Sequence, residues 1–183
     1  MRILAFAASY RSDSLNKKLV ALLAKEAKRI GTKIEIADYD DFDMPLYRND
    51  HTEITPKSAN YFLKKVGDSN GIIISMPEYN RSIPSSLKNV IDWTSKIDRT
   101  AFTGKTFFLT SASAGIYGGI TGLNQLKTPL EALGAIVFNQ TFTTIGTENA
   151  FDGSGDLVDK QQQDMLFSMI KDYISFTEKL SVK

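Results

Sequence analysis

The sequence predicts an open, doubly wound α/β domain, a parallel sheet with helices packed on both faces. Five apolar runs of strand length recur along the chain, amphipathic helical periods separate them, and no repeat, low-complexity tract or linker divides residues 1–183. Strands that alternate with helices pair in parallel, because each helix carries the chain back across the sheet. The whole chain therefore reads as one domain, and 183 residues are enough to bury a full core.

The first run, residues 3–8, is Ile-Leu-Ala-Phe-Ala-Ala. It is short for a secretion signal and feeds straight into a polar turn, so it is expected to be a buried strand. Leu15, Leu19, Leu22, Leu23, Ala27 and Ile30 then recur at helical spacing, with Gly31 as a stop. A strand is expected at 33–37. Residues 38–55 are expected to form a long, solvated acidic loop holding Asp38, Asp40, Asp41, Asp43, Asp50 and Glu53, whose spacing matches no calcium loop. Pro56 and Pro84 open helices over 56–67 and 84–97 from the first helical position, where a missing N–H costs little. Further strands are expected at 71–76, 105–110 and 135–138. A helix kinked by Pro129 is expected over 119–133, and a last one over 157–179 carries Leu166, Met169, Ile170, Tyr173 and Ile174 on one face.

Composition excludes several chemistries. There is no cysteine, hence no disulfide, thiolate nucleophile or iron–sulfur cluster. The single histidine, His51, rules out a His-pair zinc site and leaves any Ser-His-Asp triad one possible base. No G-x-S-x-G elbow accompanies it, which ranks a serine hydrolase last. The formal charge of +1, with both signs interspersed, gives no footprint for nucleic acid or an anionic membrane. No run approaches the roughly 18–20 apolar residues of a spanning helix, so a soluble, cytoplasmic protein is expected.

In a doubly wound sheet, ligands bind beyond the carboxyl ends of the strands, which directs attention to three loops. The first, Ala8-Ser9-Tyr10-Arg11-Ser12-Asp13-Ser14-Leu15-Asn16, puts hydroxyls and an arginine at a helix N-terminus. Those are the parts of a phosphate site, though the same serines and aspartate also serve as ordinary helix caps. It is neither a G-x-G-x-x-G fingerprint nor a P-loop; Gly104-Lys105-Thr106 lacks the upstream glycine, which is Arg99 here. The second loop runs from Met76-Pro77-Glu78-Tyr79-Asn80-Arg81-Ser82-Ile83-Pro84 into Leu87-Lys88-Asn89 and Asp92-Trp93. The third, Ser111-Ala112-Ser113-Ala114-Gly115-Ile116-Tyr117-Gly118-Gly119, has small residues that let backbone approach a ligand, or that simply turn into the next helix.

The first two loops resemble the patterns G-S-x-R-x-x-S-x-N and P-E-Y-N-x-S-x-P-G-x-L-K-N-x-x-D-W of the NADPH-dependent FMN reductase family, and the resemblance spans essentially the whole chain. It implies a flavodoxin-like three-layer sandwich with strand order 2-1-3-4-5, and an FMN-dependent NAD(P)H oxidoreductase. Electrons would pass from NADPH or NADH through flavin to a quinone, azo compound, metal oxyanion or free flavin, in ping-pong order. It further implies that Ser9, Arg11, Ser14 and Asn16, with Leu15 beside them, hold the FMN phosphate. Pro77, Glu78, Tyr79 and Asn80 would line the flavin ring, and Ser111, Ala114 and Gly115 would adjoin it. No side chain takes a catalytic role of its own, and no metal is expected. A homodimer or homotetramer is implied, packed through the region of Trp93, Ile97, Leu87, Val90 and Ile91, which core packing alone could also explain. A flavodoxin-type electron carrier is the alternative; the charge of +1 and the Arg11 loop favour the reductase. Ala8 and Ser85 replace family glycines, and Asp13 puts a carboxylate into the phosphate loop.

Overall fold

The six residues of β1 (Arg2–Ala7) are buried but for the first, and all five of β3 (Gly71–Ser75) are buried. Strands without a solvent face belong in the middle of a parallel sheet. They lie there in the computed structural model, which describes residues 1–50, 55–145 and 149–181. The order is β2-β1-β3-β4-β5, with β2 (Lys33–Ile36), β4 (Thr106–Ser113) and β5 (Ile136–Ile145) completing a sheet in which every pairing is parallel. This is the expected flavodoxin-like order.

Alternate strand residues feed two cores. Leu4, Phe6, Ile72, Ile74, Phe107 and Leu109 pack under α2 (Lys57–Gly67), α3 (Ser85–Ile97) and α4 (Ile120–Glu131). Ile3, Ala5, Ile73 and Phe108 pack under α1 (Leu15–Arg29) and α5 (Lys160–Ser181). The densest part of the first core is aromatic. The Phe6 ring stacks on Tyr39 at 5.9 Å and meets Phe42 and Phe62 edge-on at 5.6 and 6.0 Å.

Several expectations are corrected. β5 does not stop at 138 but continues to Ile145, and β4 continues to Ser113. The register shifts between Phe107 and Leu109, where two extra residues of β5 bulge out and pairing then resumes from Leu109–Thr141 to Ser113–Ile145. The polar pair Asn139-Gln140 breaks the apolar run at the bulge, which hid the second half of the strand. The segment after β2 is only in part a solvated loop: Asp38, Asp40, Asp41, Asp43 and Asp50 are exposed, but Tyr39–Phe42 form a 3₁₀ turn with Tyr39 and Phe42 buried, and Met44 is buried as well. The last helix begins at Lys160 because Asp159 Oδ1 accepts the N–H groups of Gln161 and Gln162 at 3.0 and 3.1 Å. Pro129 falls in the last turn of α4. Among the described residues no helix is long and apolar enough to cross a membrane. His51 and Glu53 lie outside the described residues.

Trp93 is likewise not a surface residue. It is 2% exposed, its Nε1–H donates to Pro45 O at 2.8 Å, and its ring meets Tyr47 edge-on at 5.3 Å. Asn89 fastens the same strap, accepting Tyr47 N–H at 2.7 Å and donating to Met44 O and Pro45 O at 3.1 Å each. The apolar side of α3 is therefore covered by its own chain.

Three tyrosines give the fold an alkaline limit. The Tyr173 hydroxyl, fully buried, donates within reach of Ile72 O and Thr106 O at 3.1 Å each. Burial pushes the phenols of Tyr173 and Tyr39 up. That of Tyr10 is pushed up to about 12, by burial first and then by the hydrogen bond it donates to Asp43 at 3.1 Å. A phenol whose pKa rises on folding contributes stability that is complete below the unfolded value near 10 and is lost as pH climbs through the folded value. The urea midpoint is therefore expected to hold level to about pH 9.5 and fall steeply by about pH 11, with a shallower fall in Tyr39→Phe.

Candidate functional site

The loops after β1, β3 and β4 meet at the carboxyl edge of the sheet and enclose a cleft of about 490 Å³. In the first loop, Ala8 N–H still donates to Ser75 O at 2.8 Å, and the chain then turns at once, Ser9 N–H reaching Ala7 O at 2.7 Å. Ser14 caps α1 from an extended conformation, its Oγ accepting Lys17 N–H at 3.4 Å. That leaves the N–H groups of Leu15 and Asn16 without an acceptor inside the helix, at its positive end. Ser9, Ser14, Leu15 and Asn16 all line the cleft.

Arg11 and Asp13 form a closed pair on the rim. Nε and Nη2 of Arg11 donate to the two carboxylate oxygens at 3.0 and 2.8 Å, with each side chain 71% exposed. The hydrogen bonds and charge of Arg11 hold the Asp13 carboxyl below its ordinary range, and Asp13 raises Arg11 in return. The carboxylate thus neither points away nor caps the helix; it occupies the guanidinium fork that a phosphate would use. Lys18, one turn into α1, adds a second cation to the lining.

The second loop is a braced hairpin. Tyr79 and Ser82 exchange backbone hydrogen bonds at 3.1 and 2.9 Å around Asn80 and Arg81, whose φ values of +50° and +63° make the two-residue turn. Gln125 of α4 ties the hairpin down, donating to Arg81 O at 2.8 Å and accepting from Ser82 Oγ at 2.7 Å. Arg81 lies over the Tyr117 ring at 4.9 Å. Glu78 Oε2 accepts Gly122 N–H at 2.8 Å, so its charge rests on the first turn of α4. Pro77, Glu78 and Tyr79 line the cleft, Tyr79 with 52% of its surface exposed.

From the third loop come Ala112, Ser113 and Ala114. Ser111 does not reach the cleft. It is buried with its Oγ unpartnered, packed on Gly119, where φ is +95° and a Cβ would collide with that oxygen. Asn80 at the hairpin tip and Gly115 in the exposed turn before α4 also stand outside the lining. Asn16 lines the cleft, but its side chain is spent elsewhere, on Ser75 and on the backbone of Ala112. Sequence reasoning missed Lys18 as a lining residue, although its place one helical turn after Ser14 is the signal that would have found it.

Fold and cleft together make this a flavodoxin-like protein with its cleft at the start of α1. The chain belongs to the NADPH-dependent FMN reductase family, whose sequence profile matches residues 1–150. It is an NAD(P)H-dependent oxidoreductase that uses FMN. It is 30% identical over 170 residues to an NAD(P)H-dependent FMN reductase of Pseudomonas aeruginosa, covering 91% of this chain and 89% of the relative. A 2-hydroxy-1,4-benzoquinone reductase of a Burkholderia species is 29% identical over 178 residues, covering 96% of each chain. In structure the chain is similar to FerB, a flavoenzyme NAD(P)H:(acceptor) oxidoreductase of Paracoccus denitrificans, with a TM-score of 0.86, 26% identity and 97% of each chain covered.

Proposed function

We propose that this protein takes electrons from a reduced nicotinamide and passes them, through FMN held in the cleft, to a small-molecule acceptor of the quinone class. The observation that carries the reading is the donor set at one end of the cleft. Arg11 and Lys18 supply charge, Ser9 and Ser14 supply hydroxyls, and Leu15 and Asn16 supply unpaired N–H groups, which is what a phosphate monoester needs. At the other end Pro77 and the exposed Tyr79 offer a flat apolar wall beside the backbone of the hairpin. The volume of about 490 Å³ lies in the range of small-ligand sites.

FMN, when bound, supplies the hydride acceptance and electron donation, so the side chains have to bind, orient and exclude water. Arg11 and the start of α1 would hold the phosphate, and the wall of Pro77 and Tyr79 would face the ring. The Gln125 and Glu78 contacts hold that wall still. Donor and acceptor use the open mouth in turn, which gives ping-pong kinetics with parallel lines in double-reciprocal plots. Ile116 and Tyr117, 75% and 54% exposed, leave an apolar patch beside the hairpin, where Arg81 lies over the Tyr117 ring. A homodimer that covers it is expected, checked by sedimentation of the FMN-loaded protein.

The test of the function is a visible spectrum after FMN is added and unbound flavin removed, repeated anaerobically with NADPH and then with NADH. Retained flavin bands that bleach with either donor, and return with a quinone, are the expected result. Retained bands that bleach with neither favour an electron carrier. Asp13→Asn tests the rim pair: with the competing carboxylate gone, FMN is expected to bind about two- to fivefold tighter, the scale of an exposed ion pair, and titration by flavin fluorescence checks it.

A further inference from the structure

The Asn16 side chain makes three hydrogen bonds in a residue only 3% exposed. Its Nδ2 donates to Ala112 O at 3.0 Å, and its Oδ1 accepts from Ala112 N–H at 2.9 Å and from Ser75 Oγ at 2.8 Å. Those partners are the last residue of β3 and a residue in the extension of β4. Both lone pairs of Oδ1 are used, and one Nδ2–H is left over.

The reason lies in the sheet. β3 pairs with β4 as far as Ser75–Thr110, Met76 N–H reaches Thr110 O at 3.1 Å, and the chain then departs at Pro77. Residues two apart on a strand turn their backbone groups to the same edge. The N–H and C=O of Ala112 therefore face the space that β3 has left, while the opposite edge of β4 is still occupied by β5, with Ala112 opposite Thr144. Buried backbone groups need partners. The Asn16 carboxamide, presenting one donor and one acceptor side by side, supplies Ala112 with the partners that the next residues of β3 would have supplied.

We infer that the Asn16 side chain positions the cleft and does not ligate the phosphate: its carboxamide replaces the missing strand and locks the start of α1, the Pro77 loop and the Ser113–Ala114 loop at one spacing, so that the cleft is formed before flavin enters. This rests on the reading of the cleft as the FMN site. A phosphate ligand serves one end of the cleft, whereas a residue that sets the spacing of all three loops governs how the ring is seated as well.

The experiment measures the FMN dissociation constant and the visible spectrum at saturating FMN for the unaltered protein, Arg11→Ala, Asn16→Ala and Asn16→Asp. Asn16→Asp keeps the shape and the acceptor but loses the donor to Ala112 O, and a urea midpoint for each variant shows that it is folded. Arg11→Ala is expected to weaken binding while the spectrum at saturation stays that of the unaltered protein. Both Asn16 variants are expected to weaken binding about tenfold and to shift the saturated spectrum towards that of free FMN, because the ring is no longer held in register. Weakened binding with an unchanged saturated spectrum would make the Asn16 side chain a phosphate ligand and overturn the inference, as would unchanged binding and spectrum together. Should the unaltered protein retain no FMN, the reading of the cleft fails first and the inference with it.

Discussion

Arg11→Ala is expected to weaken FMN binding roughly tenfold or more, the largest effect of any single change on the cleft rim, because a charge-assisted hydrogen bond to a phosphate is lost. Two terms act together. The variant removes the cation whose Nε and Nη2 are set at fork spacing, and it releases Asp13, whose carboxylate they hold at 3.0 and 2.8 Å. An unneutralised carboxylate beside a phosphate dianion is repelled by it, so Arg11→Ala costs more than the loss of one cation. The double variant with Asp13→Asn is then expected to recover part of the affinity. Flavin titrations on the four proteins of this cycle measure the coupling directly. An unchanged dissociation constant in Arg11→Ala would remove the phosphate from this end of the cleft.

The largest effect on stability is expected at Phe6. Its ring is fully buried in β1 and touches the rings of Tyr39, Phe42 and Phe62. Phe6→Ala deletes a central member of that cluster from a strand held by neighbours on both sides, where collapse around the cavity is limited. A loss of about 3–5 kcal/mol is expected, which for a domain of this size lowers the melting temperature by about 10 °C. Thermal denaturation of the two proteins at neutral pH checks it. A drop of only a degree or two would mean that the 3₁₀ turn carrying Tyr39 and Phe42 closes over the gap.

Strand and helix order was legible because strands buried on both faces, such as β1 and β3, are written as unbroken apolar runs. β5 was half legible for the same reason: past the bulge its residues alternate, and Thr141, Thr143 and Thr144 carry no apolar signal although they are β-branched. The acidic segment misled because its charge is real while its anchors, Tyr39, Phe42 and Met44, are sparse. For Trp93 the family resemblance implies a partner surface and core packing is the alternative, and the helix period does not choose between them, since it shows which face is apolar but not what covers it. In the cleft, a motif identifies which residue types gather and not how each is spent. Arg11 and Asn16 stand in one motif, yet Arg11 lies on the open rim and Asn16 is consumed by the backbone of β4.

The strap over α3 supplies an optical handle. Trp93 is the single tryptophan, and its indole N–H donates to Pro45 O while the Tyr47 ring meets its own edge-on. Detaching residues 44–47 would let water reach the indole and move its emission to longer wavelength while the sheet remained intact. Fluorescence excited at the red edge of indole absorption thus reports one local opening, which can be followed against the cooperative unfolding seen by circular dichroism. Asn89→Ala, which removes the three hydrogen bonds Asn89 makes to the strap and leaves that of Trp93, is the variant in which the two signals are expected to separate.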